Sequence, residues 1–216
     1  MARFVVRVWL PDKPGALGGV ATAIGSVGAS LVGVDILEQG GGWAIDELVV
    51  ECDEGKSAAD EVAKALTRLG DVSVEDIRST AEGLVDPRID ALRTAAELVE
   101  QEKPFAVLDV LVHRARHDLA ADWAVVMRSD GSAPVAETGD GPSAAWLSAF
   151  IAGSRSSDAL SGGRGGPDDV AWADLKRDGS VLVLGRSGRP FRYREREQLD
   201  ALSSIGDGVL YLLQHE

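Results

Sequence analysis

The chain has 216 residues, of which 45% are hydrophobic, and a formal net charge of -13. This length allows one large or two small domains with packed cores, and the acidic balance excludes a protein built for nucleic acid or anionic membranes. The sequence shows no apolar run of membrane-spanning length and no signal peptide, so we expect a cytoplasmic protein.

The first predicted element is a strand over residues 3–10. Its apolar side chains alternate along the chain at Phe4, Val6, Val8 and Leu10, which is typical of a strand with one buried face. The period then changes, because Leu17, Val20, Ile24 and Val27 fall at helical spacing. We therefore predict a helix over residues 16–27, ended by Gly28.

The next elements complete a small domain. Residues 30–38 and 43–52 predict a hairpin around the turn "QGGG", a helix ends at Gly70, and residues 72–77 are again extended. The order βαββαβ predicts a four-stranded antiparallel sheet with both helices on one face, the ferredoxin-like arrangement. We assign this domain to residues 1–80.

The second region is also α+β. Asp86 and Pro87 open a helix, which we assign to a linker over residues 81–103. From residue 104 to 216 we predict helices over 105–117, 144–152 and 194–214, and hairpins pairing 123–128 with 134–137 and 170–175 with 181–185. The stretch "GSRSSDALSGGRGGPDD" predicts a mobile loop because it is rich in Gly and Ser.

The stretch "LPDKPGALGG" joins the first strand to the first helix and could be a phosphate-binding turn. Asp35, twenty residues after Gly15, lies where a dinucleotide fold places its ribose-binding acid. However, Leu17 stands where that motif needs its second glycine, and the strand that holds Asp35 leads into a hairpin. A Walker loop is disfavoured because no G-K-[ST] follows. The turn therefore favours a small polar ligand, or it only connects and caps.

The pattern from Asp12 to Gly28 resembles the opening of an ACT domain, the small ligand-binding module of amino-acid metabolism. Asp12, Pro14, Gly15, Leu17 and Gly28 match its D-x-P-G-x-L segment and the glycine before the second strand. The resemblance covers about residues 3–78. It implies a regulatory, often dimeric module that binds an amino acid at this loop. The implied ligand-binding residues are Asp12, Lys13, Pro14, Gly15, Ala16, Leu17, Gly28 and Ser30.

Elementary chemistry supports such a pocket. Pro14 fixes the turn, and Gly15 leaves room for a ligand beside backbone N–H groups at a helix N-terminus, which favour a carboxylate. Asp12 could pair with the ligand's ammonium group. Many ACT domains carry Asn just before the second strand, where this chain has Ser30.

The end of the chain has a looser resemblance to a GAF domain, over about residues 104–216. Asp122, Asp130, Gly131, Phe191 and the segment 199–202 carry the similarity. GAF domains bind small molecules or serve only as dimerisation units. The middle of this region is short for the family, so no ligand residue is assigned here.

Four other features have weaker functional interpretations. Trp9 and Val5 lie on the strand face opposite Phe4, which predicts a dimer or docking surface; the alternative is an isolated exposed tryptophan. His113 and His117 have the spacing of a metal pair, but a polar helix edge is the simpler interpretation, and we predict no metal site. Five arginines could bind an anion or form a solvated face, namely Arg186, Arg189, Arg192, Arg194 and Arg196. We expect Cys52 to be buried and to behave as a small hydrophobic side chain.

The sequence thus predicts a bacterial, non-catalytic regulatory protein without a cofactor, the source being suggested by the excess of Arg over Lys. An N-terminal module senses an amino acid, and ligand binding is linked to one arrangement of a homodimer or of the domains. The alternative is a dimerisation or protein-interaction module that binds no ligand. An unidentified protein partner is compatible with both.

Overall fold

The computed structural model describes residues 2–53, 58–79, 86–130, 133–156 and 167–215. The chain divides into two units, Met1–Asp86 and Pro87–Glu216. Both are α+β units with one four-stranded antiparallel sheet. The predicted glycine-rich loop lies mostly outside the described residues, as does most of the predicted boundary between the domains.

The first unit has the predicted βαββαβ order. Its elements are β1 (Ala2–Pro11), α1 (Ala16–Ser26), β2 (Ser30–Gly40), β3 (Trp43–Cys52), α2 (Ala58–Thr67) and β4 (Ser73–Ser79). The sheet order is β2-β3-β1-β4, which is the ferredoxin-like arrangement. The predicted fold of this unit is confirmed.

Alternation along β1 separates the two faces of this sheet. Phe4, Val6, Val8 and Leu10 form one core with residues from α1 and α2, including Ile24 and Leu66. Both helices therefore cover the same face, because their apolar stripes need the same side of the sheet. Trp9 lies on the opposite face, where its indole N–H donates a 2.6 Å hydrogen bond to Glu75 Oε2.

The second unit contains three layers. Its elements are α3 (Pro87–Val99), α4 (Pro104–Asp118), β5 (Trp123–Arg128), β6 (Pro134–Thr138), α5 (Ala144–Ser156), β7 (Val170–Leu175), β8 (Ser180–Gly185) and α6 (Tyr193–His215). The sheet order is β6-β5-β8-β7. Residues of α3, α4 and α6 pack on one face of this sheet and residues of α5 on the other.

Two local contacts define this unit further. The sequence assigns residues 81–103 to a linker, and the structure places α3 within the second unit, where Leu98 is fully buried in the core. On the other side of the sheet, Trp123 faces Gly185 across the β5–β8 pair, and a Cβ at Gly185 would lie 2.3 Å from the indole.

Among the described helices, none has the length and apolar character needed to cross a bilayer.

Candidate functional site

The loop between β1 and α1 is held by its own backbone. The Asp12 N–H donates to Gly42 O at 2.9 Å, which ties the end of β1 to the β2–β3 turn. Gly15 then has φ +89°, in the left-handed region, where a side chain would be strained, and a Cβ there would meet nothing within 4 Å. Glycine is required by the backbone at Gly15, and the space beside it is open.

The first turn of α1 presents backbone donors. Gly15 is its N-cap residue, and no side chain caps the helix. The N–H of Ala16 donates to Lys13 O and that of Gly19 to Gly15 O. Because the first N–H groups of a helix lack intrahelical acceptors, those of Leu17 and Gly18 are the donors left for an anionic group.

A cleft of about 320 Å³ adjoins this turn. Lys13, Pro14, Gly15 and Ala16 line it on the loop side, and its remaining lining residues are Pro11, Gly19, Leu69, Asp71 and Val72. Lys13 Nζ forms a 3.1 Å ion pair with Asp71 Oδ2 between exposed side chains. The volume is at the low end of the range for small-molecule sites.

The predicted site residues fall into two groups. Asp12, Lys13, Pro14, Gly15, Ala16 and Leu17 are consecutive residues of the loop and the start of α1. Gly28 follows the other end of α1 with φ +75°, and Ser30 pairs with Glu51 at the far end of the sheet. Glu51, the partner of Ser30, is seven residues along β3 from Ala44, which is the partner of Leu10 at the loop end of β1. Seven residues of a strand span roughly 24 Å. Gly28 and Ser30 therefore do not meet the loop within one chain.

Asp46 lies near the loop and was missed by the sequence interpretation. It pairs with Val8 and stands on the helix-covered face of β3, between Ala44 and Leu48. Only 3% of the residue is exposed, and Oδ1 has no hydrogen-bond partner. A carboxylate at an inward position of an alternating strand was the sequence signal that could have found it.

The electrostatics around Asp46 are unfavourable to its charge. Burial, followed by the negative charges of Asp12 and Asp35, raises the pKa of Asp46 from 3.8 to about 6. Asp12 itself accepts a 3.3 Å hydrogen bond from Gln39 Nε2. The loop therefore adjoins a region of negative potential.

Glu47, the next residue of β3, belongs to the other face and is electrostatically opposite. Its Oε1 accepts hydrogen bonds from Arg7 at 2.8 Å and Arg78 at 2.9 Å. Burial alone would raise the pKa of Glu47, but the two guanidinium groups outweigh burial and lower it. Two neighbouring carboxylates in one strand thus have opposite pKa shifts.

Arg186, one of the five arginines considered for anion binding, has structural partners within the second unit. Arg186, with a fully buried side chain, donates to Leu119 O, Arg189 O and Pro190 O and pairs with Glu195. These contacts favour a structural role for Arg186 over anion binding.

The two histidines and the cysteine give no sign of a metal site in the described part of the chain. His113 lies beside Asp109 and His117 beside Asp118, both with exposed imidazoles. No group of three or more His, Cys, Asp or Glu residues that could hold a metal ion is found among the described residues. Cys52 is buried, as predicted, and burial raises its pKa.

No family model matches this chain, and no curated protein matches it. Solved structures do match. One is an ACT domain protein from Streptococcus pneumoniae, with 22% identity, covering 38% of this chain and 97% of that chain at a TM-score of 0.31. A second is described as a candidate glycine cleavage system transcriptional repressor, with 12% identity, 93% and 90% coverage and a TM-score of 0.33.

A third is a protein of unknown function from Galdieria sulphuraria, with 14% identity, 62% and 75% coverage and a TM-score of 0.29. At these identities and TM-scores the likeness concerns the fold alone. An ACT domain protein is among these neighbours. The GAF resemblance of the second unit stays a prediction.

Proposed function

We propose that this chain is a non-catalytic regulatory protein whose first unit binds an amino acid at the loop of residues 12–17. The observation that carries the proposal is the junction of β1 and α1. Gly15 is in the left-handed region beside open space, the first turn of α1 has no side-chain cap, and a cleft of about 320 Å³ adjoins both. A carboxylate is the anion that such a turn would bind in an amino acid.

The proposed regulation is linkage between ligand and assembly. A ligand shifts an equilibrium only by its differential affinity for the two states, so the amino acid must bind one arrangement of a homodimer more tightly. Ser30 and Gly28 lie too far from the loop to touch the same ligand within one chain. A second copy could bring them to it, and this favours the homodimer in the proposal.

The test is thermal unfolding of the purified chain with each of the twenty amino acids, followed by calorimetry for those that stabilise it. We expect at least one amino acid to bind at millimolar concentration to the wild type. Gly15→Val should abolish that binding, because a side chain there enters the ligand's space and strains the turn.

Gly41→Val is the matched control. Gly41 also has a positive φ, +60°, with open space around its Cβ position, but it does not line the cleft. This variant should suffer similar backbone strain and keep the ligand response. Absence of binding by all twenty amino acids, or equal binding by Gly15→Val, contradicts the proposal.

A dimerisation or protein-interaction module without a ligand is the second candidate function. It is favoured by large apolar side chains on α3 and α4, since Leu92, Val99 and Phe105 are 67%, 66% and 70% exposed. Analytical ultracentrifugation separates the two functions. A dimer or complex that forms equally with and without every amino acid would support this second function.

A further inference from the structure

The cleft beside the β1–α1 loop has a second wall, which the end of α2 provides. The N–H of Leu69 donates a 3.1 Å hydrogen bond to Leu66 O, and that of Gly70 donates a 3.2 Å hydrogen bond to Thr67 O. Gly70 has φ +79°, in the left-handed region, and this conformation ends the helical path before β4 begins. The turn brings Asp71 to the cleft.

Two charges of opposite sign line this cleft. Among its described lining residues, Lys13 and Asp71 are the two with ionisable side chains, and their 3.1 Å ion pair joins the loop to the turn after α2. The carboxylate of Asp12 does not line it. Neither do the charged residues on and after α2, namely Asp60, Glu61, Lys64 and Arg68. The described lining therefore presents one cation and one anion to a ligand.

A ligand can open this ion pair at little cost. Both side chains are exposed, and exposed ion pairs contribute little to stability. The flexible stem of Lys13 lets its ammonium group move aside. A ligand with both charges gives Asp71 a new cation and Lys13 a new anion, each through charge-assisted hydrogen bonds. A ligand with one charge leaves one member of the opened pair without a partner, so the pair favours a zwitterion.

The rest of the cleft lining is apolar or small. Pro11, Leu69 and Val72 contribute apolar side chains, and the Cβ position of Gly19 is open. A volume of about 320 Å³ suits a small ligand. A further charge on the ligand's side chain would lose hydration without meeting a partner in this lining. The lining therefore favours a small apolar side chain, such as that of valine.

We propose that Lys13 and Asp71 exchange their mutual ion pair for the two charges of the bound amino acid. Asp71 receives its ammonium group, and Lys13 receives its carboxylate. This inference rests on the proposed function, because it names the residues that determine specificity in the same site. It also replaces Asp12 as the partner of the ammonium group, since Asp12 lies outside the cleft lining and accepts a hydrogen bond from Gln39. The cleft thus selects zwitterions with an apolar side chain.

The test compares valine with molecules that lack one of its charges. Calorimetry on the full chain measures the binding of L-valine, of 3-methylbutanoate, which has no ammonium group, and of 2-methylpropylamine, which has no carboxylate. We expect valine to bind at least tenfold more tightly than either analogue, because each analogue leaves one charge of the opened pair without a partner. Free lysine and aspartate, which add a charge, should also bind at least tenfold more weakly.

Two variants assign the two ends of the ligand. Asp71→Asn should weaken valine binding about tenfold and leave the affinity for 3-methylbutanoate unchanged or higher, because Lys13 has then lost its competing partner. Lys13→Ala should weaken valine binding similarly and leave the affinity for 2-methylpropylamine unchanged or higher. Asp60→Asn and Lys64→Ala are the matched controls, since both residues are exposed on α2 outside the cleft. Both controls should bind valine like the wild type.

The outcomes separate this inference from the proposed function. Wild-type affinity for valine in Asp71→Asn or Lys13→Ala, together with loss of binding in Gly15→Val, overturns the inference and leaves the proposed function standing. The same conclusion follows if valine and its two analogues bind equally, or if other amino acids bind and valine does not. If none of the twenty amino acids binds, the proposed function itself fails, and this assignment fails with it.

Discussion

Two buried charges, Arg186 in the second unit and Asp46 in the first, differ in their hydrogen-bond partners. In the second unit, Arg186 is fully satisfied by backbone carbonyls and Glu195, and the carboxylate of Asp207 accepts the N–H groups of Arg177 and Asp178. In the first unit, Asp46 is as deeply buried and one of its oxygens has no partner. A buried charge with all its partners holds the chain in place. One without them keeps the cost of desolvation and has its pKa raised.

Removal of the satisfied cation should have the largest effect. In Arg186→Met the apolar stem remains, while the buried Glu195 loses its counter-charge. We expect a loss of about 3–5 kcal/mol in the free energy of unfolding, because breaking a buried pair leaves an uncompensated charge. Denaturant unfolding of the full chain, followed by tryptophan fluorescence, measures this loss.

Arg93→Met is the matched control for that experiment. Arg93 also pairs with a carboxylate, that of Asp90, but its side chain is 68% exposed. The control should lose about 0.5 kcal/mol or less. Equal losses in the two variants would show that burial does not distinguish these ion pairs.

Asp46→Asn should have the next largest effect on the free energy of unfolding, and this effect is in the stabilising direction as the pH rises. The pKa of Asp46 is raised in the folded chain, so the stability it contributes is complete below its ordinary value of 3.8 and lost as the pH rises through about 6. The difference in unfolding free energy between variant and wild type should shift in the variant's favour by roughly 3 kcal/mol over this range. Denaturant unfolding at a series of pH values tests this, and a constant difference would contradict it.

The smallest effect is expected at an exposed pair beside the cleft. Lys13 and Asp71 approach to 3.1 Å with side chains that are 60% and 48% exposed. Lys13→Ala should change the free energy of unfolding by about 0.5 kcal/mol or less, because exposed pairs are screened by solvent. A loss well above about 1 kcal/mol by thermal unfolding would mean that this pair fixes the loop.

Local patterns predicted the elements well. Alternation identified β1, helical spacing identified α1, and the loop residues 12–17 followed from the junction of the two periods. Non-local pairing was not accessible in the same way. Arg186 contacts Leu119 O, 67 positions earlier in the chain, and no local pattern in "GRSGRPFRYREREQ" separates a solvated arginine from a buried one.

The positions of Ser30 and Asp46 show the same limit in the site. Ser30 was assigned to the ligand from a family pattern, yet strand pairing puts it at the far end of the sheet from the loop. Asp46 was visible as a carboxylate in an apolar alternation. Its significance depended on which face the helices cover and on how near Asp12 lies, and both follow only from the assembled sheet.

The close approach of Trp123 to Gly185 also bears on how the second sheet selects its pairing. Both faces of β8 are apolar, because Leu182 and Leu184 face one core and Val181 and Val183 face the other. Hydrophobic patterning alone would therefore tolerate a one-residue slip of this strand. A slip would set the indole against Leu184 or Arg186, where it would meet a side chain. The pairing of the largest residue type with the smallest thus helps to fix the register of β8 against β5.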